Sequence, residues 1–165
     1  MLKKRILVFV LILTVAGLCL MNIYPAQAQE NTVNYTLTNL NDRDFSYQDL
    51  HGTSFAGATM WGANFQGANL QDTIITKGDF LRANLREADF TQTFADRVSF
   101  DETDLTNAIF TDAMLMSSTF RNAEVTGTDF SGAMVDRYQI KLMCKTASGK
   151  NSITGVETRE SLGCS

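Results

Sequence analysis

The sequence predicts an all-β solenoid, on three observations. From Leu40 to Ile140 an apolar residue occupies every fifth position without an insertion, through 21 consecutive repeats. The residue two places before it is small: Ala58, Ala63, Ala68, Ala83, Ala88, Ala108, Ala113, Ala123 and Ala133, with Thr, Ser or Gly in eight other repeats. The residue just before it is often Asn or Asp, as in Ala63-Asn64-Phe65 and Ala88-Asp89-Phe90. A period of five fits neither a helix nor a strand. It requires a chain that turns a corner every five residues.

Each position then has a physical reading. The large and small apolar residues fill a narrow interior, where only their combined volume fits. Asn and Asp bond neighbouring backbone amides and hold the turn. Gly52, Gly57, Gly62, Gly67, Gly127 and Gly132 supply the positive φ that some turns need. Only Ala95 is small among the large positions. A distortion or small cavity is expected there, with Phe94 partly turned inward.

This pattern resembles the pentapeptide-repeat family over residues 38–140. The resemblance implies a right-handed quadrilateral β-helix with 20 residues per coil, hence about five coils and a rod of about 24 Å at strand spacing. Stacked centres then form ladders: Met60, Phe80, Phe100 and Phe120 on one face, Leu70, Phe90, Phe110 and Phe130 on the opposite one. A solenoid needs caps at both ends. Residues 29–37 are assigned as the N-terminal capping segment, with Thr32 to Leu37 alternating like a short strand. Residues 141–165 are assigned as a helical cap. Arg137 to Ala147 carries Tyr138, Leu142 and Cys144 at helical spacing, and Gly149 is a stop signal. Thr154 to Glu157 reads as a capping box opening a second helix that ends near Gly163.

Residues 1–28 read as a secretory signal peptide. Lys3-Lys4-Arg5 precedes an apolar run from Ile6 to Leu20, and Ala26-Gln27-Ala28 is a small-x-small cleavage site. Membrane contact is expected through this segment alone. Its removal takes Cys19 and leaves Cys144 and Cys164. An even pair in an exported domain reads as a disulfide, with free thiols or half a metal site as the alternatives. The tail, from Tyr138 through Cys144, Asn151 and Arg159 to Cys164, is similar to the C-terminal cap of thylakoid-lumen members of the family. That similarity implies two short helices joined by a disulfide, and a thylakoid lumen or a periplasm as the location.

Catalytic signals are absent from the sequence, and no enzyme activity, cofactor or metal site is expected. His51 is the one histidine and lies at an outward position. Asp101, Glu102 and Asp104 read as a solvated corner in preference to a calcium site. Losing Lys3, Lys4 and Arg5 with the leader leaves 11 basic against 18 acidic residues, a net of −7. That argues against nucleic-acid binding through phosphates. The family resemblance also implies an alternative, an acidic DNA mimic acting on a DNA-binding enzyme such as gyrase; the export signal argues against it.

One feature is left to carry function. At 20 residues per coil, the outward slot before the centre reads Ser54, Ile74, Phe94, Met114 and Met134 along one face, with Met116 beside Met114. Exposed apolar strips of this kind mark interaction sites. Ile74, Phe94, Met114, Met116 and Met134 are therefore the candidate surface for an unidentified protein partner, unless the protein's own termini cover them. Trp61 and Leu81 form a smaller outward pair.

Overall fold

A computed structural model describes residues 33–165; the signal peptide assigned to 1–28 and the first residues of the capping segment lie outside the described residues. Isolated parallel bridges join residues 20 apart, from Asn34↔Ser54 to Met114↔Met134. Four corners therefore close each coil, and the chain stacks on itself as a quadrilateral β-helix.

The bonding of one repeat shows why five residues suffice. Phe90 donates its N–H to the Ile109 carbonyl of the next coil (2.7 Å), and Gln92 donates to Thr111 (2.9 Å). Thr93 closes the corner onto the Phe90 carbonyl (3.1 Å), and Phe94 donates back to Thr73 of the preceding coil (2.9 Å). Each repeat thus spends its backbone groups on the coils above and below and on its own turn. The corner residue takes positive φ at all 20 corners from Leu37 to Gly132, 14 of them without glycine. The six glycines expected to supply positive φ do so, and the other corners take it as well. The conformation is set by the fold, and at some corners glycine also leaves room for a side chain of the preceding coil, as at Gly67. There a Cβ would sit 2.6 Å from the Tyr47 ring.

The large interior positions are apolar, and the small ones mostly hold alanine or buried hydroxyl residues such as Thr73, Thr93 and Ser118. The centres Phe55, Phe65, Phe80, Phe90, Phe100 and Phe110 are fully buried. Rings of one ladder stack, with Phe90 and Phe110 4.7 Å apart at 4° and Phe80 and Phe100 5.4 Å apart at 13°. Neighbouring ladders meet edge to face, as Phe90 and Phe100 do at 6.0 Å. Both arrangements suit the aromatic quadrupole.

At Ala95 the outcome is divided. Phe94 is not turned in; it is 40% exposed. Ala95 and Val98 are both buried, so a larger residue in the small slot accompanies the missing volume. The turn is nevertheless altered. Val98 does not close onto Ala95; it donates to the Ser118 hydroxyl (2.9 Å), which in turn donates to the Ala95 carbonyl (2.6 Å).

The ends differ from expectation in detail. Residues 34–37 belong to the coil itself, since Asn34 bridges Ser54 and Tyr35 stacks on Phe55 at 5.1 Å. At the other end the last bridge is at Met134, and helix α1 spans Arg137–Met143, starting where the helical spacing starts and overlapping the last four residues of the range assigned to repeats. It stops before Ala147 because the chain must return to place the Ser148 carbonyl on Gly127 N–H (2.8 Å). The Thr154 to Glu157 box starts no helix. Asn151 Oδ1 accepts from Ile153 and Thr154 N–H, folding a turn there, and α2 spans Thr158–Ser161.

The cap acts as a substitute coil. In place of next-coil carbonyls, Asp136 Oδ2 accepts from Ser117 N–H, Gln139 Oε1 from Phe120 N–H and Ser161 Oγ from Phe130 N–H. Facing Gln139 toward the core turns its helical neighbour Tyr138 outward. Tyr138 is 69% exposed, and Met143 is the apolar residue of α1 that is buried against the core. Cys144 and Cys164 form a disulfide that ties the end of α1 to the chain after α2.

Candidate functional site

The apolar stripe is built by the coil register. Parallel bridges join Ile74 to Phe94, Phe94 to Met114 and Met114 to Met134, so the four stack in line. They are 46%, 40%, 40% and 50% exposed, and Met116 beside them is 41% exposed. Among the described residues nothing covers them. The tail lies across a neighbouring face, where Asn151 Nδ2 donates to the carbonyls of Asn107, Ala108 and Gly127. On that face the outward residues Ile109 and Asp129 are buried. Ile109 was not singled out from the sequence, although an apolar residue in a slot otherwise held by Asn or Asp was the available signal.

The stripe also costs the fold hydrogen bonds that other faces keep. In the same slot, Asn64, Asn84 and Asp89 accept from the backbone N–H two residues on, at 3.2, 3.2 and 2.9 Å. Asn64 and Asn84 also bond each other along the axis (2.9 Å). Ile74, Phe94, Met114 and Met134 have no acceptor to offer. Each such bond contributes about 0.5–1.5 kcal/mol. Four successive coils forgo it, on one face and in register.

The other candidates are occupied locally. His51 Nε2 lies 3.1 Å from Asp72 Oδ2 with both side chains half exposed. The corner acids each hold an arginine: Asp101 with Arg121 (2.6 Å), Glu102 with Arg82 (2.8 Å) and Asp104 with Arg86 (3.2 Å). Burial works against the charge of Asp101, but the side-chain and backbone hydrogen bonds from Arg121 outweigh it and hold the carboxyl below the usual carboxylate range. Asp104 is likewise held low, burial being outweighed by Thr106 and Arg86. Trp61 is pinned through its indole N–H to Asp79 (2.7 Å), with Leu81 half-buried beside it. A half-open hollow of about 570 Å³ lies between the last coil and α1, lined by Phe120, Ala123, Glu124, Tyr138 and Leu142. Its Glu124 is committed to Thr126 N–H. No group of three or more His, Cys, Asp or Glu suited to a metal exists among the described residues, and no helix among them is long and apolar enough to cross a membrane.

Comparison with known proteins agrees with the geometry. A family model described as pentapeptide repeats matches in 8 copies over residues 36–72, 63–101 and 96–132. A pentapeptide repeat protein of the Arabidopsis thaliana thylakoid lumen, known from a crystal structure, is 32% identical, with a TM-score of 0.77 over 79% of this chain and 90% of that one. HetL of the cyanobacterium Nostoc sp. strain PCC 7120 superposes with a TM-score of 0.60 at 21% identity, over 62% of this chain and 49% of that one, which shows the fold alone. The Arabidopsis thaliana thylakoid lumenal protein TL20.3 is 53% identical over 34 residues, or 21% of this chain and 12% of the relative. The chain therefore matches about one eighth of that relative's length.

Proposed function

The chain belongs to the pentapeptide-repeat family, whose members fold as right-handed quadrilateral β-helices, and on that premise we propose that it is an exported, non-enzymatic module that docks a protein partner on its apolar stripe. The observation that carries this reading is the alignment of Ile74, Phe94, Met114 and Met134, uncovered by the tail, in a slot that elsewhere serves turn bonding. Phe and Met are favoured at interface centres, and Met adapts its shape to a partner.

An oxidising compartment, a thylakoid lumen or a periplasm, is part of the proposal. The signal-peptide pattern of residues 1–28, the Cys144–Cys164 disulfide and the lumenal origin of two relatives support it.

The test is the double substitution Phe94→Asp and Met114→Asp. Asp is native to this slot on other faces, so the circular-dichroism melt is expected to stay nearly unchanged. Recovery of partner protein from the native compartment, strong with wild type, is expected to vanish. Equal recovery by both proteins overturns the docking surface. Unfolding of the variant shows the stripe to be structural.

A further inference from the structure

Five methionines lie among the described residues, and they divide sharply. Met60 and Met143 are buried in the core and its cap. Met114, Met116 and Met134 are 40%, 41% and 50% exposed, and all three belong to the stripe. Met114 and Met134 are joined by a parallel bridge, so their backbones are one strand spacing apart, about 4.8 Å. Met116 follows Met114 by two residues and opens the corner turn beside it. Every exposed methionine of the described residues is thus either bridged to Met114 or two residues from it. Burial does not explain the choice, since Ile74 and Phe94 hold the same column without sulfur.

We infer that Met114, Met116 and Met134 form a three-thioether site for Cu(I). Thioethers are soft ligands that select Cu(I) over the hard divalent cations. Each methionine side chain has three rotatable bonds, so three sulfurs at these spacings can turn toward one ion. Competing ligands are engaged. Asp136, two residues after Met134, gives its carboxylate to Ser117 N–H (2.8 Å), and both cysteines of the described chain are in the disulfide. The expectation of no metal site rested on His, Cys and carboxylates, which are the ligands of zinc and calcium; thioethers were not weighed. The site does not depend on the docking role of the stripe.

The experiment uses disulfide-intact protein carrying ¹³C-methyl methionine, titrated first with Ag(I), a redox-inert stand-in, and then with Cu(I) under ascorbate without oxygen. The methyl signals of Met114, Met116 and Met134 are expected to move together and saturate at one equivalent, while Met60 and Met143 stay still. Zn(II) and Ca(II) are expected to move none of the three. Each single Met→Leu variant should weaken binding roughly tenfold or more, and the triple variant should abolish it. Leucine keeps the stripe apolar, so the melt and any partner recovery are expected to survive in the triple variant, which separates metal binding from docking. Three signals that saturate independently, or saturable binding that persists in the triple variant, overturn the site. Binding of Ag(I) without binding of Cu(I) overturns the assignment to copper.

Discussion

Gln92 holds φ at 58° on a corner with an exposed side chain. A residue with a Cβ in this region costs about 1–2 kcal/mol, against the roughly 0.5–1 kcal/mol that glycine loses in chain entropy. Gln92→Gly should therefore leave stability unchanged or raise it by up to about 1 kcal/mol, whereas Gln92→Val should lower it by more than about 1 kcal/mol. Denaturant melts of the pair check both signs. The positive φ was legible at the six glycine corners and not at the 14 others, where the hydrogen bonds to the coils above and below set it. Charge acts at the same scale. Asp101 and Asp104 have carboxyls held below the ordinary range, so each contributes stability that is present above the unfolded value near pH 4 and is lost as pH falls through the lower folded value. Thermal melts from pH 7 down to pH 3 should show a falling midpoint, with a shallower fall in Asp101→Asn. An unchanged slope in that variant would remove Asp101 from the account.

Among the elements, the phenylalanine ladders carry the core and the tail closes it. Phe110 stacks on Phe90 and Phe130 and meets Phe100 and Phe120 edge on, so Phe110→Ala removes contacts in four directions. A loss of about 3–5 kcal/mol is expected in denaturant melts, and a loss below about 1 kcal/mol would contradict the fully buried position. The ladders were legible because each centre recurs at a fixed spacing. The cap was legible only in outline. Cys144 and Cys164 announced their bond, but the phase of α1 depends on Gln139 reaching Phe120 N–H, and the path of the tail depends on three carbonyls taken by Asn151 Nδ2. Neither long-range contact leaves a local mark. Reducing the disulfide should speed amide exchange in 144–165 first and leave the central coils protected, since solenoid stability sums over neighbours. The bond closes a loop of 20 residues, worth about 3 kcal/mol in the chain-entropy model. Simultaneous loss of protection throughout would show one cooperative unit instead.

For the whole molecule, the sequence displayed the solenoid and the stripe but not which face the tail would occupy, because Ile109 and Asp129 become buried only when the chain returns over them. Where the first 32 residues lie is a separate matter, outside the described chain. The uninterrupted 20-residue register has one more consequence. Position along this chain is an angle as well as a height, and the molecule behaves as a combination lock with four settings per revolution. Deleting residues 81–100 removes a full revolution: the rod shortens by about 4.8 Å, and Ile74 comes to rest directly above Met114 with the stripe still straight. Deleting residues 81–85 alone advances everything below by a quarter revolution. Met114, Met116 and Met134 then stay together but swing onto the next side, out of line with Ile74. Length and azimuth can therefore be changed separately, by whole and partial revolutions; the whole-revolution deletion takes Phe94 out of the stripe, and the quarter-revolution deletion keeps every residue of it.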